Sequence, residues 1–543
     1  MDNAEYRKKF LFIDDAYVVK SENLARTTNE AVKHPEPVFR MDAPWDTRRD
    51  ELNGINVVYD EQDQLFKMWY AVCNRVEDWG GQVRKFAYAT SADGIHWERP
   101  ILDLVENDGT KQNNYFLSAA LADSFPSILI DPSEPASRRF KMIFVCSDIW
   151  GGGLVNDWSK HHSAMNLAYS EDGLVWDRPR NVNPILRGIG DGVFMFFYDV
   201  DRRKYQLFTR RVPNLPRDIS LYESFDLVNW EDCGRIFVAG DEDDPPTLFN
   251  IHQATMLQYE GYKLALLNTM HGHPLTERLG VFQEPPDDYP YKDKIGVIDV
   301  QLGFSTDGRN WQRAHDRSPV IPVGPAGAWD AGLIFPQYNA PIVMDGDTYI
   351  FYSGFRFGHT AWAQKTVYQD GERDLRESAV GMLAVMPEDH WVSLVAGSQE
   401  GTLLAGPFRQ LPHRLFVNAD ADVGSIEVEF VDGYERPLPG LSRTDAIAIT
   451  TDGKDHEVKW RGDPHPDQVE GDYQGGVILR IIMKNAKLYS CTFALPDPDG
   501  SVRRYWTNLE WNKNLFHRND QWGRDNNLPA SGLPPVERYM PNF

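Results

Sequence analysis

Ser91 to Trp97 reads SADGIHW, Ser170 to Trp176 reads SEDGLVW, Ser305 to Trp311 reads STDGRNW, and a degenerate copy from Ser224 to Trp230 reads SFDLVNW. A weaker echo, MPEDHW, ends at Trp391. Asp and Gly supply the backbone conformations of a tight turn between strands, and the Trp that follows returns to pack between neighbouring sheets. The tryptophans recur at intervals of about 80 residues, with one of about 55, the range of multi-stranded propeller units that carry loops. Five copies predict five blades. Scaffold chemistry explains the motif completely, so it is assigned no catalytic role.

Upstream of each turn stands an apolar run, a polar turn and a second apolar run. These are NVVYDEQDQLFKMWYAV from Asn56, SILIDPSEPASRRFKMIFV from Ser127, VFMFFYDVDRRKYQLFTRR from Val193, ATMLQYEGYKLALLN from Ala254 and APIVMDGDTYIFYSG from Ala340. Each reads as the inner hairpin of a blade, and helical periodicity is scarce, so the predicted class is all-β. After Phe408 the repeat stops. RLFVNADADVGSIEVEFVDGYERPLPG, HEVKWRG and GGVILRIIMKNAKLYSCTF alternate in strand fashion and predict a β-sandwich. The expected division is a five-bladed β-propeller over residues 1–408, a β-sandwich over 409–495 and an irregular extension over 496–543 that wraps the surface or an oligomer interface, which leaves a homo-oligomer open.

The formal net charge of -24 argues against nucleic acid and anionic membranes as partners, because both require a clustered positive field. Aromatic residues make up 12% of the chain, a surplus that suits β-structure and sugar-stacking clefts. Cys73, Cys146, Cys233 and Cys491 are widely spaced and match no zinc or disulfide pattern. No metal or cofactor is expected. The opening MDNAEYRKKFLFIDDAYVV lacks a signal-type apolar region, and no run approaches the ~18 apolar residues needed to span a bilayer, so a cytoplasmic location is expected.

In a propeller the inner strands line a central channel, and side chains at their starts converge on one axial pocket. Aligning the hairpins on the turn after the inner strand puts Asp123 and Asp191 at one structural position in neighbouring blades, each eight residues ahead of the turn aspartate, Asp131 and Asp199. The same register falls at His252 and Gln337 in blades four and five, and beside Asn53, just after Asp50 and Glu51, in blade one. Glycosyl transfer to water needs two carboxyl groups flanking the scissile bond, and converging acids would supply them. Asp123, Asp191, Asp50 and Glu51 are therefore the catalytic candidates, with Asp46 beside them. The opposite rim of each hairpin adds Asn74, Asp148, Arg210 and Arg211, His271 and His273, and Arg356 with His359. Cations there would split the proton affinities of neighbouring carboxyls. Trp45, Trp150 and Trp329 lie near blade entries and are candidates to stack on a sugar ring. The expected substrate contacts are Asp46, Arg210, His252, His271, Asp330, Gln337, Arg356 and Trp150.

The LFIDDAYVV opening, the hairpins ending FKMWY and YIFYSG, the SxDGxxW turns and the closing LFVNAD, IEVEF and NAKLYSCTF strands together resemble the five-bladed glycosidases of the invertase and levanase family and the arabinanase and xylosidase family. That resemblance implies three acidic groups in the axial pocket, one from each of the first three blades. Asp123 is similar to the second-blade aspartate that tunes the acid or stabilises the transition state. Asp191 falls where the third blade carries a general-acid glutamate. Leu52 and Asn53 stand where the first-blade aspartate is expected, which leaves Asp50, Glu51, Asp46 or Asp330 as substitutes. The invertase W-x-N-D-P-N-G signature is absent, which argues against plain sucrose cleavage. The implied activity is an exo-acting glycoside hydrolase, with a non-catalytic carbohydrate-binding propeller and a glycoside phosphorylase as the alternatives.

Overall fold

The computed structural model describes residues 5–75, 82–117, 126–147, 163–187, 189–211, 218–238, 249–271, 296–359, 374–470 and 476–496. Their regular elements are strands with a few short 3-10 turns. Three antiparallel sheets of four strands come first. They are Asp50–Asp60, Leu65–Arg75, Gln82–Ser91 and Tyr115–Leu117; then Ser127–Ile130, Phe140–Ser147, Ser163–Ser170 and Leu186–Arg187; then Ile189–Asp199, Lys204–Arg211, Ile219–Ser224 and Glu231–Phe237. A ten-stranded sheet carries two further runs, one on Phe249–Tyr259, Tyr262–His271 and Val297–Ser305, the other on Leu333–Pro336, Asp347–Phe355 and Ala379–Met386. A single parallel pair, Ile298 with Leu333, joins the two runs.

The inner strands of the ring show apolar residues on both faces because its sheets pack on both sides. Trp69 and Tyr88 of the first sheet meet Phe140 and Met142 of the second. Ile143 and Leu167 meet Phe196 and Leu207 of the third, whose other face sets Met195 and Phe208 against Met256 and Leu267. Phe351 and Leu383 of the last run then pack on Met68 and Val72 of the first sheet, so the packing closes a ring. The chain is a β-propeller with a β-sandwich, as the repeats predict.

The four SxDG-type turns share one set of bonds. The hydroxyls of Ser91, Ser170, Ser224 and Ser305 each accept an amide at 2.9 Å. Asp93, Asp172, Asp226 and Asp307 each accept two amides at 2.7 to 2.9 Å. The four indoles donate to the carbonyls of Gly94, Gly173, Leu227 and Gly308. Those carbonyl-bearing residues are left-handed, with φ of +75°, +79°, +65° and +73°, which costs a glycine little and Leu227 more. The fifth echo behaves differently. Trp391 is fully buried and its chain runs on into Val392–Ala396, so it marks the exit from the ring.

The sheets divide the chain elsewhere than at residue 408. One sandwich sheet orders Leu24–Thr28, Val392–Ala396, Ala486–Pro496, Arg414–Asp420 and Gly453–Glu457, with Glu5–Leu11 also on Ala486–Pro496; the facing sheet orders Val18–Glu22, Gly401–Phe408, Val477–Lys484 and Ser425–Val431. Residues 5–28 and 392–408, expected in the propeller, thus form sandwich strands. Their inward residues decide it: Phe10, Leu394, Leu403 and Ala405 share one core with Leu415, Val428, Leu479 and Ile481. Asp389 ties the two parts together. It is buried, and it accepts hydrogen bonds from Tyr259 of the ring at 2.8 Å and from Lys9 and Ser490 of the sandwich at 3.1 and 2.7 Å.

A Cβ on Gly173 would lie 2.6 Å from Trp69 Cζ2, whereas one on Gly109, at φ +78°, would meet nothing within 4 Å. Both sites resist alanine through φ, but only Gly173 adds a collision in the contact between the first two sheets. Gly173→Ala is expected to lower the unfolding free energy by about 2–4 kcal/mol and Gly109→Ala by about 1–2 kcal/mol, read from urea midpoints. Equal losses would remove the inter-sheet role of the turn.

Candidate active site

The first strands of the successive runs begin at one end of the ring, and three of them are bulged near that end. Register slips between Leu52 and Ile55, between Val193 and Met195, and between Ile251 and Gln253. A bulge turns a side chain that regular pleating would aim elsewhere. In the fourth run the bulged residue is His252. Its ring stacks on Phe335 at 5.1 Å and lies 5.1 Å from the ring of His359, while its carbonyl accepts the guanidinium of Arg210. Arg210 is 1% exposed, so this cation is held in the wall between the third and fourth runs. His271, the last residue of its strand, has Nε2 at 2.9 Å from Asp299 Oδ2. Asp299 is paired with Thr269 across the ladder, diagonal to His271, which accounts for the contact. The structure therefore brings Arg210, His252 and His359 together with Phe335, and joins His271 to Asp299.

The acids of the first blade are deeply held. Asp50 is fully buried and its Oδ2 accepts the amide and hydroxyl of Thr47 at 2.7 and 2.9 Å. Glu51, also fully buried, accepts the Ser378 hydroxyl at 2.7 Å. Asp46 accepts from the Ala43 amide and from Arg99, both at 2.9 Å, and its Oδ1 is buried without a hydrogen-bond partner. Burial pushes its carboxyl up to about 6, against the Ala43 amide bond and the Arg99 charge.

Two expected substrate contacts, Gln337 and Asp330, have partners within the chain. Gln337 is fully buried; its amide donates to the carbonyls of Val57 and Ala340 at 3.1 and 2.7 Å and accepts the Phe351 amide, so it clamps the last run to the first sheet. Asp330 accepts Lys33 Nζ at 2.5 Å and the Tyr352 hydroxyl at 2.9 Å. Register pointed to Gln337, which directly follows Leu333–Pro336, but the partners of Gln337 and Asp330 come from remote segments. Trp329 has the guanidinium groups of Arg356 and Arg40 over its ring at 3.8 and 4.3 Å. Trp45 donates to Asn114.

Asp123, Asp148, Trp150 and His273 lie outside the described residues. Asp191 sits on Ile189–Asp199, and Asn74 and Arg211 on their strands, with side chains outside the description. Sequence reasoning missed Asp299, Arg40, Phe335 and Ser378. An acid near the start of a third strand was the available signal for Asp299; the others carried none, since their roles come from cross-chain contacts.

Among the described residues Glu223, Glu231 and Cys233 bring possible metal-ligand atoms within 4.8 Å of one another. Glu223 is already saturated by Arg202, Lys204, Arg309 and Gln206. Burial alone would raise its carboxyl, but the bonds from Arg202 and Arg309 hold it well below the usual range. The cluster is an ion-pair node between sheets.

No protein-family model matches the chain, and no curated protein does. The chain resembles solved glycoside hydrolases. A glycosyl hydrolase from Bacteroides ovatus is 12% identical, with a TM-score of 0.42, over 66% of this chain and 94% of that one. A structure described as a glycoside hydrolase is 15% identical, with a TM-score of 0.41, over the same shares. The fructofuranosidase of Schwanniomyces occidentalis, in a variant form complexed with fructosylnystose, is 11% identical, with a TM-score of 0.39, over 87% of this chain and 99% of that one.

The raised value of Asp46 makes stability depend on pH with a defined sign. An unfolded aspartate titrates near ~3.9, so folding favours the protonated form; the contribution is complete below about pH 4 and is lost as pH rises through about 6. Relative to Asp46→Asn, the native chain should lose about 2–3 kcal/mol between pH 4 and pH 7 in urea unfolding. Parallel pH curves for the two proteins would contradict the assignment.

Proposed function

We propose that the chain is an exo-acting glycoside hydrolase that takes a terminal sugar at the end of the ring where the inner strands begin. The ten-stranded sheet counts as two blades in this reading, which makes the propeller five-bladed. The observation that carries it is the set of three bulges at one end of three inner strands, beside which Arg210, His252 and His359 gather. Asp191 stands at that end of Ile189–Asp199, between the strand start and the second of those slips.

Hydrolysis requires one carboxylic acid to protonate the departing oxygen and a carboxylate to attack the anomeric carbon or deprotonate water. Asp191 is assigned the acid and Asp123 its partner or modulator. Arg210, in the wall of the same end, supplies a fixed positive charge that favours the ionised form of a neighbouring carboxylate. The ring of His252, half-buried and backed by Phe335, offers a flat surface suited to a sugar ring. Asp50 and Glu51 remain the first-blade acids, and their complete burial on Thr47 and Ser378 favours the second reading, a propeller that binds saccharide without cleaving it.

Released sugar on a panel of aryl glycosides separates the two. With a responsive substrate, Asp191→Asn should reduce turnover by about 10²-fold or more. Unchanged turnover would remove Asp191 from the chemistry, and saccharide binding with no product from the native chain would establish the binding reading.

A further inference from the structure

Arg356 follows the last residue of Asp347–Phe355 at the end of the ring that holds His252. Its amide donates to the carbonyl of Ser378 at 3.1 Å, and the hydroxyl of Ser378 donates to Glu51 of the first blade. His359, a little further on, lies against His252 of the fourth run. Arg356 thus occupies a segment that spans from the fourth run to the first sheet across the proposed pocket end.

Its guanidinium is half-buried over Trp329, and Nε is buried with no hydrogen-bond partner. Among the described residues its side chain forms no ion pair, although the chain holds 80 acidic residues against 56 basic ones. Among the carboxylates of the adjoining segments, Asp330 is held by Lys33 and Tyr352, Glu51 by Ser378, and Asp374 by Arg376 at 2.8 and 2.6 Å, while Glu377 is exposed to solvent. A partly desolvated cation without a counter-ion is unfavourable, and a surplus of acids would readily supply one. Stacking on Trp329 also fixes the plane of the guanidinium fork, which presents parallel donors to a two-oxygen acceptor.

We infer, resting on the reading of this end as a saccharide pocket, that Arg356 receives an oxyanion of the substrate, and that the sugar taken carries a carboxylate, as a uronic acid does, or a sulfate ester. The chain's acidity then acts as a filter, repelling polyanions in general while one preorganised cation accepts a single anionic group on a terminal residue.

Isothermal titration of the full chain with glucuronate, galacturonate and glucose 6-sulfate, each beside its neutral parent sugar, tests this directly, with inorganic phosphate as the free-anion arm. At least one acidic sugar should bind about tenfold or more tightly than its parent, and Arg356→Gln should abolish that preference. Arg356→Lys keeps the charge but loses the fork, so it should retain only part of the preference and serves if the glutamine variant fails to fold. No binding by any acidic sugar, equal binding of acidic and neutral sugars, a preference that survives in Arg356→Gln, or phosphate binding as tightly as the acidic sugars would each overturn the inference. Turnover of neutral glycosides that responds to Asp191→Asn would leave the hydrolase reading standing in that event. Conversely, an acidic-sugar preference without turnover would sink the hydrolase reading alone.

Discussion

Val32–Lys33 closes the ring with two residues. They pair with Val385 and Ala384 on the outer edge of the last run, and the bridge between Phe39 and Gly381 extends the seam. Lys33 reaches across to Asp330, whose carboxylate is also held by Tyr352, so the closing strand is anchored by charge as well as by its ladder. Such a strand fastens the last run to the N-terminal part of the chain, and the convergence of inner-strand starts on one axis follows from closure. Gln337 and Asn339 add the second seam, bonding the last run to the backbone of the first sheet at Val57. Everything assigned to the pocket end depends on these two seams holding the first and last sheets in register.

The same N-terminal stretch that closes the ring begins in the sandwich. Glu5–Leu11 lies on Ala486–Pro496, and Leu24–Thr28 lies on Val392–Ala396, before the chain crosses to the ring. The N-terminal stretch is therefore stitched to Ala486–Pro496, with Asp389 between the two parts. Tyr259, Lys9 and Ser490 all address that one buried carboxylate, and removal of any partner would leave it less compensated in a low-dielectric setting. Propeller and sandwich share this polar junction as well as apolar contacts, for Leu11 and Ile13 belong to the core of the last runs.

The turns were legible in the sequence because their chemistry is local. A serine, an aspartate and a left-handed residue within a few positions satisfy one another, and even Leu227 in the degenerate copy adopts the conformation that the three glycines take. The strand hairpins were legible for the same reason, since their apolar runs and polar turns lie side by side in the chain. The sandwich boundary was not legible, because the strands within residues 5–28 find their partners hundreds of residues further along the chain and draw residues 392–408 into the sandwich with them. Among the pocket candidates, register placed His252 at an actual bulge, but it did not foresee that the backbone of Val57 engages Gln337, nor was the contact of Lys33 with Asp330 legible. Spacing gives position along a strand; it does not give the segment that arrives opposite.

The proposed hydrolysis requires that the acids of the second and third blades, Asp123 and Asp191, aim at a common hollow. The most direct measurement is the separation of the carboxyl groups of Asp123 and Asp191 in crystals grown with a bound saccharide. A gap of about 5–9.5 Å on opposite sides of the sugar's anomeric carbon is expected, with its size reporting retention or inversion. Carboxyls that point away from the channel, or that stand too far apart for one sugar residue to bridge, would contradict the enzymatic account while leaving the closed ring intact.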